Sequence, residues 1–303
     1  MRQQKYVNEI RKLCILKSAN FTVKRLSPAL GAEIFGIDLR HPLLPVVVDE
    51  ILAAWREHIV LVFRDQELTM EQQLSFAGNF GELGERKQAP EDLRERTEGV
   101  YQTNDNILLV SNIKVDGQPI GAFGDADMWF HIDSGYAECP YKYTFLYGLE
   151  LPPKGGNTLF SNTYLVYDAL PKELKDKLEG RRALHIHEYK RTEKVDIKKD
   201  ISGSPHYYHP VFITHPETRK KAVFVDRLMT RLIEGLEEEE SESILNKLFD
   251  LIESPQFIFE HVWRLGDVVM WDNRVAVHGR TWFPTNQNRL LRRCVVIGEQ
   301  PYE

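Results

Sequence analysis

The stretch WRLGDVVMWDNRVAVHGRTWFPTNQNRLLRRCVV, residues 263–296, decides how the chain folds. Two runs rich in β-branched and aliphatic residues, Asp267 to Val277 and Arg289 to Ile297, flank a polar turn, the pattern of short strands. The first run leads straight to His278; the second begins with Arg289 and carries Arg293 four positions later. Side chains four apart on a strand share a face, so these two guanidiniums point the same way. Such a pair either lies in a solvated surface cluster with Arg292 or enters a cavity that holds an anion.

The same kind of run recurs upstream. His58 to Arg64, Ile107 to Val115, Tyr143 to Leu151, Ala183 to Tyr189, Tyr207 to Thr214, Ala222 to Val225 and Gln256 to Trp263 all read as strands bounded by turn residues. Helical spacing is confined to fewer places. Val47, Val48, Ile51, Leu52 and Trp55 form one apolar stripe, and Thr69 with Gln72 spells a capping box that opens a second helix. Two short helices are expected after Ser161 and Pro171. A longer one runs from Glu237 to Ser254, with acidic residues at its positive end and Pro255 as its stop. The expected class is therefore mainly β with peripheral helices, as a sandwich, barrel or jelly roll.

With 303 residues, 42% hydrophobic and 28% charged, the chain can bury a large core, and no linker or repeat divides residues 1–303. The polar segment at about 190–205 is a candidate lid or an ordinary loop. A net charge of -6 without a basic stripe argues against nucleic acid and for a small-molecule substrate. No apolar run reaches membrane-spanning length and no signal peptide opens the chain, so a cytoplasmic location with no membrane partner is expected. Cys14, Cys139 and Cys294 are too few and too scattered for a disulfide framework or thiolate site.

In MWFHIDSGY, residues 128–136, His131 and Asp133 are two apart. On a strand an imidazole and a carboxylate then converge, supplying two of the three ligands of a facial triad that leaves coordination positions open. If His278 is the third, Arg289 and Arg293 project into the same cavity, where a guanidinium can hold a carboxylate in bidentate fashion.

The order LGAEIFGIDL, AWREHIVLVFRDQELT, FGELG, LLVSNI, HID, LPPKGGNTLFSNTYLVYDALP, HPVFITHPETRKKAVFV, GDVVMWDNRVAVHGR and NRLLRR resembles the taurine dioxygenase (TauD/TfdA) family of Fe(II)/2-oxoglutarate-dependent dioxygenases from about Leu26 to Ile297. The resemblance implies a double-stranded β-helix (cupin-like jelly-roll) core and iron held by His131, Asp133 and His278. It implies that 2-oxoglutarate is bound by Arg289 and Thr158, with Arg293 shared between co-substrate and substrate. It further implies O2 as the oxidant and hydroxylation of a C–H bond of a small polar or anionic molecule, with release of succinate and CO2. Asp127 and Ser134 stand at positions that line the family's substrate site, and relatives are often homo-oligomers. Two positions depart from the pattern. Phe130 intervenes between Trp129 and the first ligand, and Arg86 stands where taurine-type members place a substrate-contacting His, so taurine is not carried over as substrate.

Competing readings use the same residues. Desaturation would need the same apparatus; a jelly-roll metal enzyme without 2-oxoglutarate, or a silent binding protein, would leave Arg289 and Thr158 idle. His185 and His187 alternate on a strand but lack a third ligand, and His206, His209 and His215 sit near turns. Tyr136, Tyr207 and Tyr208 are further candidates to line a pocket.

Overall fold

The structure, a computed structural model, describes residues 21–85, 101–124, 127–187 and 196–303. Cys14, Arg86 and the first part of the expected lid, residues 190–195, lie outside the described residues.

Two sheets carry the architecture. The larger has eight strands in the order Thr22–Arg25, Ala32–Phe35, Val60–Phe63, Val268–Asp272, Tyr143–Glu150, Leu290–Val296, Leu108–Ser111 and Ala122–Phe123. The smaller has four, Ile258–His261, Thr158–Asn162, Ala276–Arg280 and Met128–His131, all antiparallel to their neighbours. Strand periodicity explains how the larger sheet is sandwiched. Val60, Val62, Leu146, Val269, Trp271 and Leu291 face inward and share one core with Phe130, Phe160, Phe259 and Val277 of the smaller sheet. Their neighbours Leu61, Phe63, Phe145, Val268 and Met270 face the other way, into a second core with Ile51, Trp55 and Phe76 from two helices. With both faces buried, VLVF at 60–63 reads as an unbroken apolar run rather than an alternating one.

Those helices, Pro45–His58 and Met70–Gly78, form as their local signals require. The first starts at a proline, whose missing N–H costs nothing at a helix start, and the second has both hydrogen bonds of the Thr69–Gln72 box. Thr163–Ala169 is capped by the Asn162 side chain, Lys172–Leu178 follows Pro171, and Glu238–Ile252 ends before Pro255. A three-stranded sheet of His206–Pro210, Arg182–Ile186 and Thr230–Ile233 stands apart. Among the described residues no helix is long and apolar enough to cross a membrane.

Some of the expected strands are divided. Asp267 to Val277 is broken into Val268–Asp272 and Ala276–Arg280, because the Asp272 carboxylate accepts from the Arg274 amide and closes a turn. Tyr207 to Thr214 separates into His206–Pro210 and Phe212–Thr214, and Gln256 to Trp263 begins with a 3₁₀ turn at Pro255–Phe257. The surface reading of the arginines fails outright: Arg289 and Arg292 are 2% and 5% exposed.

Candidate active site

The smaller sheet brings the histidines together. His278 pairs directly with His131 across two antiparallel strands, and Asp133 follows just past the end of the second. The ligand atoms of His131, Asp133 and His278 all lie within 4.8 Å of one another, and all three residues are buried. His131 Nε2 is 3.7 Å from Asp133 Oδ1 and His278 Nε2 is 3.9 Å from Oδ2, so both Nε2 atoms and the carboxylate surround one point. His131 Nδ1 donates to the Trp129 carbonyl at 2.9 Å, which leaves the Nε2 lone pair for a metal. Burial and the neighbouring His131 push the His278 imidazole down to about 3, so it is neutral and ready to ligate. Burial alone would raise the Asp133 carboxyl, but the Arg293 guanidinium, helped by the Thr144 hydrogen bond, outweighs it and holds it below its ordinary value. Two imidazoles and one carboxylate, buried and closely grouped, are the donor set of a non-haem Fe(II) centre with open positions.

Phe130, the extra residue before the first ligand, is absorbed by a bulge. Between the paired positions, two steps on one strand, His278 to Arg280, oppose three on the other, His131 back to Met128. The irregularity lets Met128 and His131 both line the cavity, which residues three apart on a regular strand could not do. Gly279 sits opposite: a Cβ there would come within 3.0 Å of the Met128 carbonyl and 3.2 Å of the Phe130 ring.

Support for Asp133 comes from far along the chain. Asn273 accepts from the Asp133 amide at 2.9 Å through Oδ1, and its Nδ2 donates to the Asp133 and Tyr141 carbonyls at 2.9 and 2.7 Å. Thr144, fully buried, donates to Asp133 Oδ2 at 2.9 Å, and Arg293 pairs with the same oxygen at 2.7 Å. Both contacts load Oδ2, leaving Oδ1 the freer oxygen for a metal.

The cavity is lined by the three candidate ligands together with Thr158, Arg280, Arg289, Arg293, Trp271 and apolar side chains. Thr158 Oγ1 accepts from the Trp263 indole at 3.0 Å, so its own O–H can turn toward an anion. Arg289 Nε donates to the Gly156 carbonyl at 3.0 Å; a Cβ on Gly156, at φ +66, would stand 3.0 Å from that nitrogen. Burial depresses the Arg289 guanidinium well below its ordinary value, and the nearby Arg280 adds to this.

Other candidates fall elsewhere. Asp127 is exposed, and Ser134, at φ 54, spends its Oγ accepting from the Tyr141 amide; neither lines this cavity. His215 donates to Asp272, His206 sits on the surface against the Ser204 carbonyl, and His209 donates to the Ala137 carbonyl at 2.8 Å. Tyr136 packs on His187, while the Tyr207 hydroxyl donates to Glu138. Cys139 and Cys294 are free thiols. Sequence reasoning missed Arg280, although its place two residues after His278 on one strand was a signal. It also missed Thr144 and Asn273, which hold the carboxylate and the backbone of Asp133.

The sequence matches the family described as "Taurine catabolism dioxygenase TauD, TfdA family" over residues 22–295. An alpha-ketoglutarate-dependent 2,4-dichlorophenoxyacetate dioxygenase of Burkholderia sp. (strain RASC) is 30% identical, covering 91% of this chain and 94% of its own. Pentalenolactone F synthase of Streptomyces avermitilis is 32% identical, with 91% and 93% covered. Among solved structures, a taurine dioxygenase from Burkholderia xenovorans superposes with a TM-score of 0.76 at 28% identity over 93% of this chain and 90% of that one. AAD-2 in complex with Mn(II) and N-oxalylglycine does so with 0.73 at 28% identity, over 93% and 99%.

Proposed function

From the premise that this chain belongs to the TauD/TfdA family and is an Fe(II)- and 2-oxoglutarate-dependent dioxygenase, we propose that it hydroxylates a small anionic organic molecule at a centre built by His131, Asp133 and His278. One observation carries the assignment of residues: two imidazoles and a carboxylate, buried and within 4.8 Å of one another, line the same cavity as the buried Arg289. Arg289, with Thr158 lining the same cavity, takes the far carboxylate of 2-oxoglutarate, because a bidentate anion satisfies a guanidinium that no acid among the described residues pairs with. Bound among the three ligands, iron with 2-oxoglutarate and O2 supplies the oxidising power, and the by-products are succinate and CO2. The chain's own residues orient and tune. Thr144 and Arg293 fix the Asp133 carboxylate, Asn273 fixes its backbone, and Trp271, Leu146 and Val110 keep water from the reacting atoms.

An anionic substrate is supported by the relatives' names, which include phenoxyacetate and phenoxypropionate dioxygenases and an alkylsulfatase of Acinetobacter baylyi at 32% identity. Residues 1–303 act as one domain in this reading, with the two facing sheets forming a double-stranded β-helix. Anaerobic addition of 2-oxoglutarate to the Fe(II)-loaded protein should give a visible charge-transfer band, and with O2 the protein should release succinate. No band and no succinate, from protein that binds Fe(II), would favour a jelly-roll metal enzyme that does not use 2-oxoglutarate.

A further inference from the structure

Among the described residues the three-stranded sheet of His206–Pro210, Arg182–Ile186 and Thr230–Ile233 shares no ladder with the two sheets that build the cavity, yet it meets the ligand-bearing segment on both sides of His131 and Asp133. Before His131, the Phe130 carbonyl accepts at 3.2 Å from the amide of Leu228, in the loop that leads into Thr230–Ile233. After Asp133, the Ala137 carbonyl accepts from His209 Nε2 at 2.8 Å. A carbonyl can only accept, so Nε2 carries a proton and His209 is the donor. His209 is fully buried, and the rings of Tyr207, His185 and Phe224 stand 4.9, 5.6 and 5.4 Å from its own, which fixes the direction in which it donates.

The segment gripped in this way is strained at one point. Ser134, directly after the carboxylate ligand, has φ 54, the left-handed region that residues with a Cβ rarely adopt. The turn around it is closed by hydrogen bonds from the Gly135 amide to the Ile132 carbonyl at 3.1 Å and from the Ala137 amide to the Ser134 carbonyl at 2.8 Å. Such a conformation persists only where the surroundings over-determine it. Asn273 holds the Asp133 end of the turn and His209 holds the Ala137 end. We propose that His209 is a positioning residue for the metal centre: by fixing Ala137 it locks the turn that sets the direction of the Asp133 carboxylate. The three-stranded sheet thereby serves as the back-plate of the ligand segment. The inference rests on the reading of His131, Asp133 and His278 as metal ligands. A turn freed at Ala137 lets the carboxylate wander from the point that the two Nε2 atoms share, so removal of the donor is felt at the metal.

The test is titration of Co(II), whose visible bands report its coordination geometry, into wild-type protein and His209 variants at a temperature below every melting transition. His209→Gln places an amide N–H where Nε2 stands and should match wild type in its bands and, within about twofold, in Co(II) affinity. His209→Met removes the donor, and His209→Asn keeps an amide on a stem too short to reach Ala137. Both should bind Co(II) about tenfold or more weakly, with altered bands. Where His209→Met melts too low to titrate, the contrast between His209→Gln and His209→Asn carries the test. Donorless variants that melt lower yet keep wild-type affinity and bands would overturn the proposal and leave His209 a support of the fold alone. So would a His209→Gln variant that loses as much affinity as His209→Met. Wild-type protein that takes up no Co(II) would instead remove the metal site itself, and this inference with it.

Discussion

Two buried charge clusters, one at the WDNR turn that joins Val268–Asp272 to Ala276–Arg280 and one at the far end of Ala276–Arg280, are built on opposite principles. At the WDNR turn every charge meets its opposite. Arg274 forks onto both oxygens of Asp272 at 2.9 and 2.6 Å and reaches Glu299 at 3.0 Å, while His215 donates to Asp272 at 2.9 Å. Burial opposes ionisation of both Asp272 and Arg274, yet their attraction wins, so the carboxyl is held down and the guanidinium up. At the other end Arg289 is equally buried, but its neighbour is another arginine and its charge is disfavoured. A closed cluster has no need of a ligand and serves the fold; an open one is costly until an anion arrives, and so marks a binding site.

The contrast fails first, if it fails, at Arg274. Arg274→Ala strands Asp272 as an unpaired buried charge and should cost about 3 to 5 kcal/mol in urea unfolding. A loss under 1 kcal/mol would mean that the turn does not depend on the pair. Arg289→Met should do the reverse. Its apoprotein should unfold at the same urea concentration as wild type or higher, because an uncompensated buried cation has gone, while 2-oxoglutarate binds about 100-fold more weakly, roughly 2.7 kcal/mol. Should Arg289→Met unfold as readily as Arg274→Ala, the two clusters would not differ in kind.

Thr144→Val sharpens the picture from the metal side. It removes a hydrogen bond to Asp133 Oδ2 without changing volume much, and Mn(II) affinity should fall by about tenfold with the fold intact. Unaltered affinity would show that Arg293 alone fixes the carboxylate.

The smallest expected effect belongs to a buried site that stays neutral. Burial and the neighbouring His185 push His209 down to about 3. The unfolded chain, with an imidazole near 6.5, therefore binds more protons between those values, and stability falls as pH drops below about 6.5. From pH 6.5 to 5.5 this histidine alone should contribute a loss of about 1 kcal/mol, absent above pH 7. His209→Gln should flatten that part of the pH profile of urea unfolding, and an identical slope in the variant would remove His209 as its source.

Much of this was legible in the sequence because strand periodicity is local. The period of two brought His131 and Asp133 together, and the run from His58 to Arg64 announced the strand Val60–Phe63. Arg289 and Arg293 do line one cavity, although a register shift between Leu290 and Leu291 lies between them. What stayed hidden depends on partners remote in the chain. Asn273 is five residues from His278, yet it clamps Asp133, 140 positions away, and no local pattern encodes that hydrogen bond. The bulge at Phe130 could be read as an extra residue but not as a re-aimed strand, because its accommodation needs Gly279 opposite. Both the WDNR turn and the segment after His278 carry arginines that end up buried; only their pairing separates the closed cluster from the open one.

Anaerobic titration of Mn(II) or Fe(II) into wild-type protein and into His131→Ala, Asp133→Ala and His278→Ala tests the centre most directly. A single tight equivalent in wild type, lost or severely weakened in each of the three variants while their far-ultraviolet dichroism is unchanged, is the result this geometry requires. A variant that still takes up one equivalent at wild-type affinity would remove that residue from the metal and, with it, the convergence on which the assignment stands.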